Sequence, residues 1–287
     1  MILLTVIAVL LAVGGYFAYS AYQHFVQRIL TIPGCQAGTG GNAVGLDFGQ
    51  AADAATIAGV AERDGLPGHA LTIAYATAFQ ESKLENLTYG DRDSVGVFQQ
   101  RPSEGWGSTA QLEDPAYAAG AFFKALVKVP GYRTLPVGIA AQDVQHSADA
   151  SGGAYQQYAQ AGAALTTDFT TAPHAVTCWY DPATQAADQG VSAKLNLSGA
   201  LNGLADAFGN PGAESAVRKV STVSSGESAV VTARKTSGWA VANWLVANAS
   251  SYGITHVSYA GYSWTAGLSE TSWQTDPGAA TGGIVAS

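Results

Sequence analysis

The hydrophobic pattern begins with a run that carries no charge, residues 2–22 (ILLTVIAVLLAVGGYFAYSAY). About 20 such residues, at the 1.5 Å rise of a helix, span the hydrocarbon core of a bilayer. Tyr16, Tyr19 and Tyr22 lie at its distal end, where amphipathic rings favour the headgroup layer. The run predicts a transmembrane signal-anchor over residues 1–28. The alternative is a cleaved signal peptide, for which Ala18-Tyr19-Ser20 offers a weak cleavage site. Residues 29–49 are Gly-rich and read as a linker. From 50 to 165 the pattern is helical. An Ala-rich stretch covers 51–64, and Pro67 marks a second helix start. Asp114 followed by Pro115 is an N-cap with proline at the first position, opening a helix over 115–128. Pro136 opens another to about residue 146, and 153–165 gives a fifth. Together they predict an all-α domain over 50–165. Between its second and third helices runs a polar loop, residues 85–107, and a loop of that length in a compact helical domain is usually functional. Residues 166–197, with Pro173 and Pro182, read as a connector. The texture then changes. A β-branched strand is expected over 228–235, an amphipathic helix over 238–252 stopped by Gly253, and a strand over 254–264. These predict a small α+β module over 198–287.

Composition narrows the function classes. Of 287 residues 47% are apolar, enough for a sizeable core and against general disorder. Only 12% are charged, and the net charge of -8 offers no clustered basic face, so no nucleic-acid partner is expected. Five scattered histidines and two cysteines form no CxxC and no HExxH, so neither a metal site nor a cofactor is expected. Cys35 and Cys178 are the only cysteines. In an exported protein such a pair forms a disulfide that closes a long loop; in a cytoplasmic one it would be two buried thiols. The expected disulfide fits a globular part outside the membrane.

The stretch 70–100 (ALTIAYATAFQESKLENLTYGDRDSVGVFQQ) carries the chemistry. Leu71, Tyr75, Ala78 and Phe79 define an apolar helical face. Glu81 continues a stripe of small side chains from Ala74 and Thr77 toward the helix end. A carboxylate against such a surface has its ionised form disfavoured and can donate a proton near neutral pH. Asp91 and Asp93, on the long loop, are the nearby candidates for a second carboxylate, while an Asx-type turn braced by ion pairs is the plainer reading of Asp91-Arg92-Asp93. Tyr89, Phe98, Trp106 and Tyr155 could supply apolar platforms for sugar rings, core packing being the plainer reading of Phe98, and Gln99, Gln100, Gln142 and Gln145 hydrogen bonds to hydroxyl and acetamido groups.

Glu81-Ser82, then Asn86, then Gly96-Val97-Phe98-Gln99-Gln100 resembles the soluble lytic transglycosylase motif: an "ES" at a helix end, an Asn, and a "GLMQ" segment after a loop. Residues 139–145 stand where that family carries an "AYNAG" helix, although Gln142 replaces the Asn and no Gly follows. The denser set of residues 89–94, Gln99-Gln100-Arg101-Pro102 and Gly105-Trp106-Gly107 is similar to an actinobacterial group of membrane-anchored, lysozyme-like proteins. Their C-terminal half often resembles a cell-wall-associated module, as residues 228–287 do here. Some members are labelled heavy metal transporters, which nothing in this sequence supports.

The resemblance implies a lysozyme-like fold over residues 50–165 acting on the β-1,4 bond between MurNAc and GlcNAc. Glu81 would be the catalytic acid, with Ser82, Asn86, Tyr89, Gln99, Gln100, Trp106, Gln142, Gln145 and Tyr155 around the substrate. The partners implied are peptidoglycan glycan strands, the membrane through the N-terminal helix, and an envelope protein held by the C-terminal module. The implied location is the cell membrane, crossed once, with the globular part facing the wall. Two alternatives stay open: a non-catalytic protein that keeps the fold to bind glycan or a partner, and a structural component of an envelope assembly.

Overall fold

A computed structural model describes residues 13–16, 19, 33–38, 43–147, 150–182, 194–212, 217–222, 228–267, 272–279 and 282–287. The chain divides into two units, Met1–Pro33 and Gly34–Ser287. Within the first, residues 13–16 and 19 are helical. The expected membrane span over 2–22 falls mostly outside the described residues. Among those described, no helix is long and apolar enough to cross a membrane.

The second unit corrects the expected architecture of an all-α domain followed by a separate small α+β module. It is mixed, with two antiparallel sheets around one continuous core. In chain order come β1 (Gly34–Ala37), β2 (Val44–Leu46), α1 (Phe48–Arg63), α2 (Gly68–Ser82), α3 (Thr109–Leu112), α4 (Pro115–Leu126), α5 (Val137–Gln145), α6 (Gly153–Gln156), α7 (Ala159–Thr170) and β3 (Val176–Trp179). There follow α8 (Leu197–Phe208), β4 (Val217–Thr222), β5 (Ala229–Ala233), α9 (Gly238–Ala247), α10 (Ala249–Tyr252), β6 (His256–Tyr259), β7 (Tyr262–Thr265), β8 (Gln274–Thr275) and β9 (Ile284–Ala286). The small sheet has the order β2-β1-β3 and the larger one β4-β5-β9-β6-β7-β8.

The small sheet is built from stretches expected to be linker and connector. In it Cys35 of β1 pairs in register with Cys178 of β3, and the two form a disulfide across 143 residues of chain. Strands of three or four residues carry too little alternation to be seen in sequence, so pairing and the disulfide define them instead.

Local chemistry sets the helix ends. Asp47 and Gln50 form a reciprocal capping box at the start of α1, and Gln50 Nε2 also donates to Lys83 O at 2.8 Å, tying that start to the end of α2. Asp114 Oδ1 accepts from Ala116 N at 2.9 Å ahead of Pro115, as its sequence position predicts. The helix expected over 153–165 is broken into α6 and α7, and that expected over 238–252 into α9 and α10. The strand expected over 254–264 is a hairpin, because Ala260 and Gly261 both take positive φ (50° and 84°), as a two-residue primed turn requires.

The Ala-rich α1 is the axis of the unit. Ala51, Ala54, Ala55 and Ala58 are buried, and the helix packs against α2, α4, α8 and α9. Where α8 crosses it, a Cβ on Gly59 would stand 2.9 Å from Phe208 Cε2, so only glycine allows that approach. Aromatic side chains from residues after 198 are fastened to the part of the unit before it. Trp244 Nε1 donates to Thr56 Oγ1 (3.3 Å), Trp264 Nε1 to Cys178 O (3.1 Å) and Trp273 Nε1 to Val176 O (2.8 Å). Each ring buries a large apolar area while its one donor is satisfied, which is why residues 198–287 do not stand apart.

Among the described residues, one carboxyl is enclosed in this core. Asp53 on α1 is only 6% exposed. Burial pushes its carboxyl up from 3.8 to about 8, against an opposing hydrogen bond from the Asn86 backbone N–H and with help from Asp47. Between those two values the unfolded carboxyl is ionised while the folded one holds its proton. Stability contributed here is therefore full below pH 4 and is lost as pH rises toward 8. Asp53→Asn is expected to raise Tm relative to wild type by more at pH 8 than at pH 4.5. Parallel melts at the two pH values check this, and an equal offset at both would sink it.

Candidate functional site

Helix α2 places the central carboxylate. Its apolar face is sealed against α7 and α5, and the helix is stopped directly after Glu81-Ser82 by Lys83 and Leu84, both left-handed (φ 61° and 65°). Two consecutive non-glycine residues in that region are costly, about 1–2 kcal/mol each. Arg92, Gln99 and His146 also have positive φ, so five of the seven such non-glycine residues described lie along 83–146. Strain concentrated in this way is a mark of functional segments.

Glu81 is half-buried and lines an open groove of about 1250 Å³. The Tyr155 hydroxyl donates to Glu81 Oε1 at 2.7 Å from the buried side. Among the described residues Oε2 has no hydrogen-bond partner. Gln99, Gln100, Arg101 and Trp106 line the groove from the long loop, and Asp143, Gln145 and His146 from the end of α5. Gln80, Asp91, Arg92 and Lys128 complete much of its rim.

The loop that forms one wall is held internally. Ser82 Oγ donates to Val97 O (2.7 Å), joining the helix end to the segment 96–100. Asn86 Nδ2 donates to Glu113 O (2.6 Å), leaving its buried Oδ1 without a partner. Gln145 Nε2 donates to Phe98 O (3.0 Å), and Phe98 itself stacks in the core on Phe122 at 4.6 Å. Gln99 Nε2 reaches Tyr89 O and Gly96 O, each at 3.2 Å. Gly96, at φ 79°, lies so close to Leu112 O that a Cβ would stand 2.1 Å from that oxygen. Gly96→Ala is therefore expected to cost about 2–4 kcal/mol in stability and to displace the loop. Denaturant titration measures the first, and a change in Trp106 fluorescence the second; a variant as stable as wild type would refute both.

The candidate residues divide by what their side chains touch. Glu81, Asp91, Gln99, Gln100, Trp106 and Gln145 border the groove. Ser82, Asn86, Tyr89, Asp93, Gln142 and Tyr155 do not line it. Gln142 is buried and closed on Ser147, donating to its carbonyl (2.8 Å) and accepting from its hydroxyl (2.6 Å). Gln100 donates inward to Ala118 O (3.3 Å), and Tyr89 is 70% exposed on the outside of the loop. Tyr155, 2% exposed, offers no platform to a sugar and instead orients Glu81.

The two loop carboxylates differ. Asp93 accepts from Ser103 N, Ser103 Oγ and Arg101 Nε at 2.8–3.0 Å, and these bonds, Ser103's first, hold its carboxyl down at about 2. It braces the loop. Asp91 is exposed at the rim, 3.9 Å from Arg92. The residues that sequence reasoning passed over are Asp143 and His146, which follow no motif and reach the groove only because α5 ends there. Among the described residues no group of three His, Cys, Asp or Glu side chains could hold a metal ion.

The arrangement can present one oriented carboxyl, half-shielded from water, to a polar polymer lying in an open groove with an indole and several amides on its walls. No protein-family model matches the chain, and no curated protein matches it.

Proposed function

We propose that the protein is an extracytoplasmic muralytic enzyme that cleaves the MurNAc–GlcNAc β-1,4 bond of peptidoglycan, as a lytic transglycosylase with Glu81 as its single acid and base. The observation that carries this is the Tyr155-oriented, half-buried Glu81 on an open groove shared with Gln99. The resemblance of Glu81-Ser82, Asn86 and residues 96–100 to the transglycosylase motif supplies the reaction class, and the Cys35–Cys178 disulfide supports an oxidising compartment.

In this reading the protonated Glu81 gives its proton to the glycosidic oxygen as the C1–O bond breaks and oxocarbenium character develops at C1. The carboxylate so formed takes the proton of the sugar's own 6-hydroxyl, whose oxygen bonds to C1 and closes a 1,6-anhydro ring. The proton and the electron pair of the broken bond leave with the GlcNAc hydroxyl, and no water is consumed. One carboxyl suffices. A hydrolase would usually need a second about 5–9 Å away, and of the two loop candidates only Asp91 is free of bracing duties.

The test is mass spectrometry of purified peptidoglycan incubated with the protein. Anhydro-muropeptides are the expected products. Reducing-end sugars would make it a hydrolase and bring Asp91 forward, and uncut glycan from folded protein would end the enzymatic reading. The alternative then is a glycan-binding protein. It is favoured by Gln142, which stands in place of the family's Asn and is closed on Ser147 rather than turned to the groove.

A further inference from the structure

The groove does not end at Trp106. Trp106, Ala125 and Lys128 also border a second cleft, of about 870 Å³, on the α4 side. Its volume is in the range of small-molecule and peptide sites. Tyr117, 38% exposed, and Ala121 give it an apolar flank.

Its charges are of two kinds. Some are already used: Arg63 Nε is bonded to Asp64 Oδ1 at 2.9 Å and its Nη1 to Asp206 O at 2.8 Å, while Asp114 caps α4. Others are free. Lys124 and Lys128, exposed and four residues apart, make no ion pair or side-chain hydrogen bond among the described residues, and neither does the Asp206 carboxylate. The cleft thus offers two unpaired ammonium groups and one unpaired carboxylate beside a tyrosine face. In a protein of net charge -8, an anionic ligand is repelled at long range, so a local pair of unneutralised lysines matters for holding one.

We propose that this second cleft binds the peptide substituent of the glycan, with Lys124 and Lys128 holding its carboxylates and Asp206 its free amino group. The inference rests on the muralytic reading for the identity of the glycan. Its ligand chemistry, a short zwitterionic peptide joined to a sugar chain, follows from the charges themselves and from the continuity of the two clefts. A polyphosphate branch would suit the lysines but not Asp206.

The test is a binding measurement, kept apart from turnover by using the full chain carrying Glu81→Gln. Labelled glycan strands with intact stems are compared with strands stripped by an amidase, both freed of phosphate polymers beforehand. Stem-bearing strands are expected to bind roughly fivefold tighter, a preference that fades with added salt. Adding Lys124→Ala and Lys128→Ala is expected to abolish the preference, whereas Lys194→Ala with Lys235→Ala, which removes the same two charges elsewhere on the exposed surface, leaves it intact. Equal binding of both strands, a preference that survives loss of the two lysines, or binding of neither strand would overturn the proposal. Failure of the muralytic reading is a separate result, read as uncut glycan with wild-type protein. Stem preference that depends on the lysines would stand even then.

Discussion

Glu81→Gln is expected to lower the rate of glycan cleavage by roughly 10³-fold, within the range that a positioned general acid and base contributes. The substitution keeps the side chain's size and leaves an amide oxygen to accept from the Tyr155 hydroxyl, so the groove should remain formed and glycan should still bind. Loss of rate with unchanged affinity separates a reacting group from a binding one. Tyr155→Phe makes a graded companion. It removes only the hydroxyl 2.7 Å from Glu81 Oε1, and because that hydroxyl touches no part of the groove, kcat should fall about tenfold while KM holds. A Glu81→Gln protein that cuts glycan at the wild-type rate would dispose of the acid–base assignment, and a Tyr155→Phe effect confined to KM would dispose of the positioning role.

Removal of the disulfide should have the largest effect on stability. The bond joins strands that are already in register, Gly34–Ala37 against Val176–Trp179, so its contribution is mainly to the unfolded chain. Closing a loop across 143 residues corresponds to about 5 kcal/mol in the chain-entropy model. Cys35→Ser with Cys178→Ser is expected to cost about 3–5 kcal/mol and to lower Tm by about 10 °C. Reductant should do the same to wild type and nothing to the variant. Because Trp264 and Trp273 donate to Cys178 O and Val176 O, loosening β3 should also be felt in the large sheet, as a broader transition. Identical melts with and without reductant would contradict the prediction.

The helices of the site were legible because their punctuation is chemical and local. Asp114-Pro115, Pro67, Pro136 and Gly253 each mark a boundary within a residue or so of where it falls. Glu81 was legible too, through its place at the end of an apolar stripe and beside Ser82. What escaped was set by partners distant in sequence. The strands β1, β2 and β3 are short and Gly-containing, and only their mutual pairing makes them strands. Tyr155 reads as a platform for a sugar ring until α6 packs on α2 and turns its hydroxyl to Glu81. Gln142 reads as a sugar ligand until Ser147, five residues on, occupies both ends of its amide. The change of pattern after residue 197 suggested a separate module with tryptophans of its own. They are instead its fastening to the first half, and single-sequence patterning cannot say which core an aromatic belongs to.

Strand β9 has a bearing on how the molecule is assembled. It lies between β5 and β6, although it follows both in the chain, and among the described residues it supplies every ladder that joins β4–β5 to β6–β7–β8. Until residues 284–286 are delivered, the larger sheet is two fragments with facing open edges, each exposing unpaired backbone groups. A chain emerging from its amino end can complete α1, α2 and the groove long before that happens. Maturation would then be stepwise, with the groove-bearing part laid down first and a late clasp that closes the rest, and the interval between them is when a strand from another polypeptide could take the vacant place.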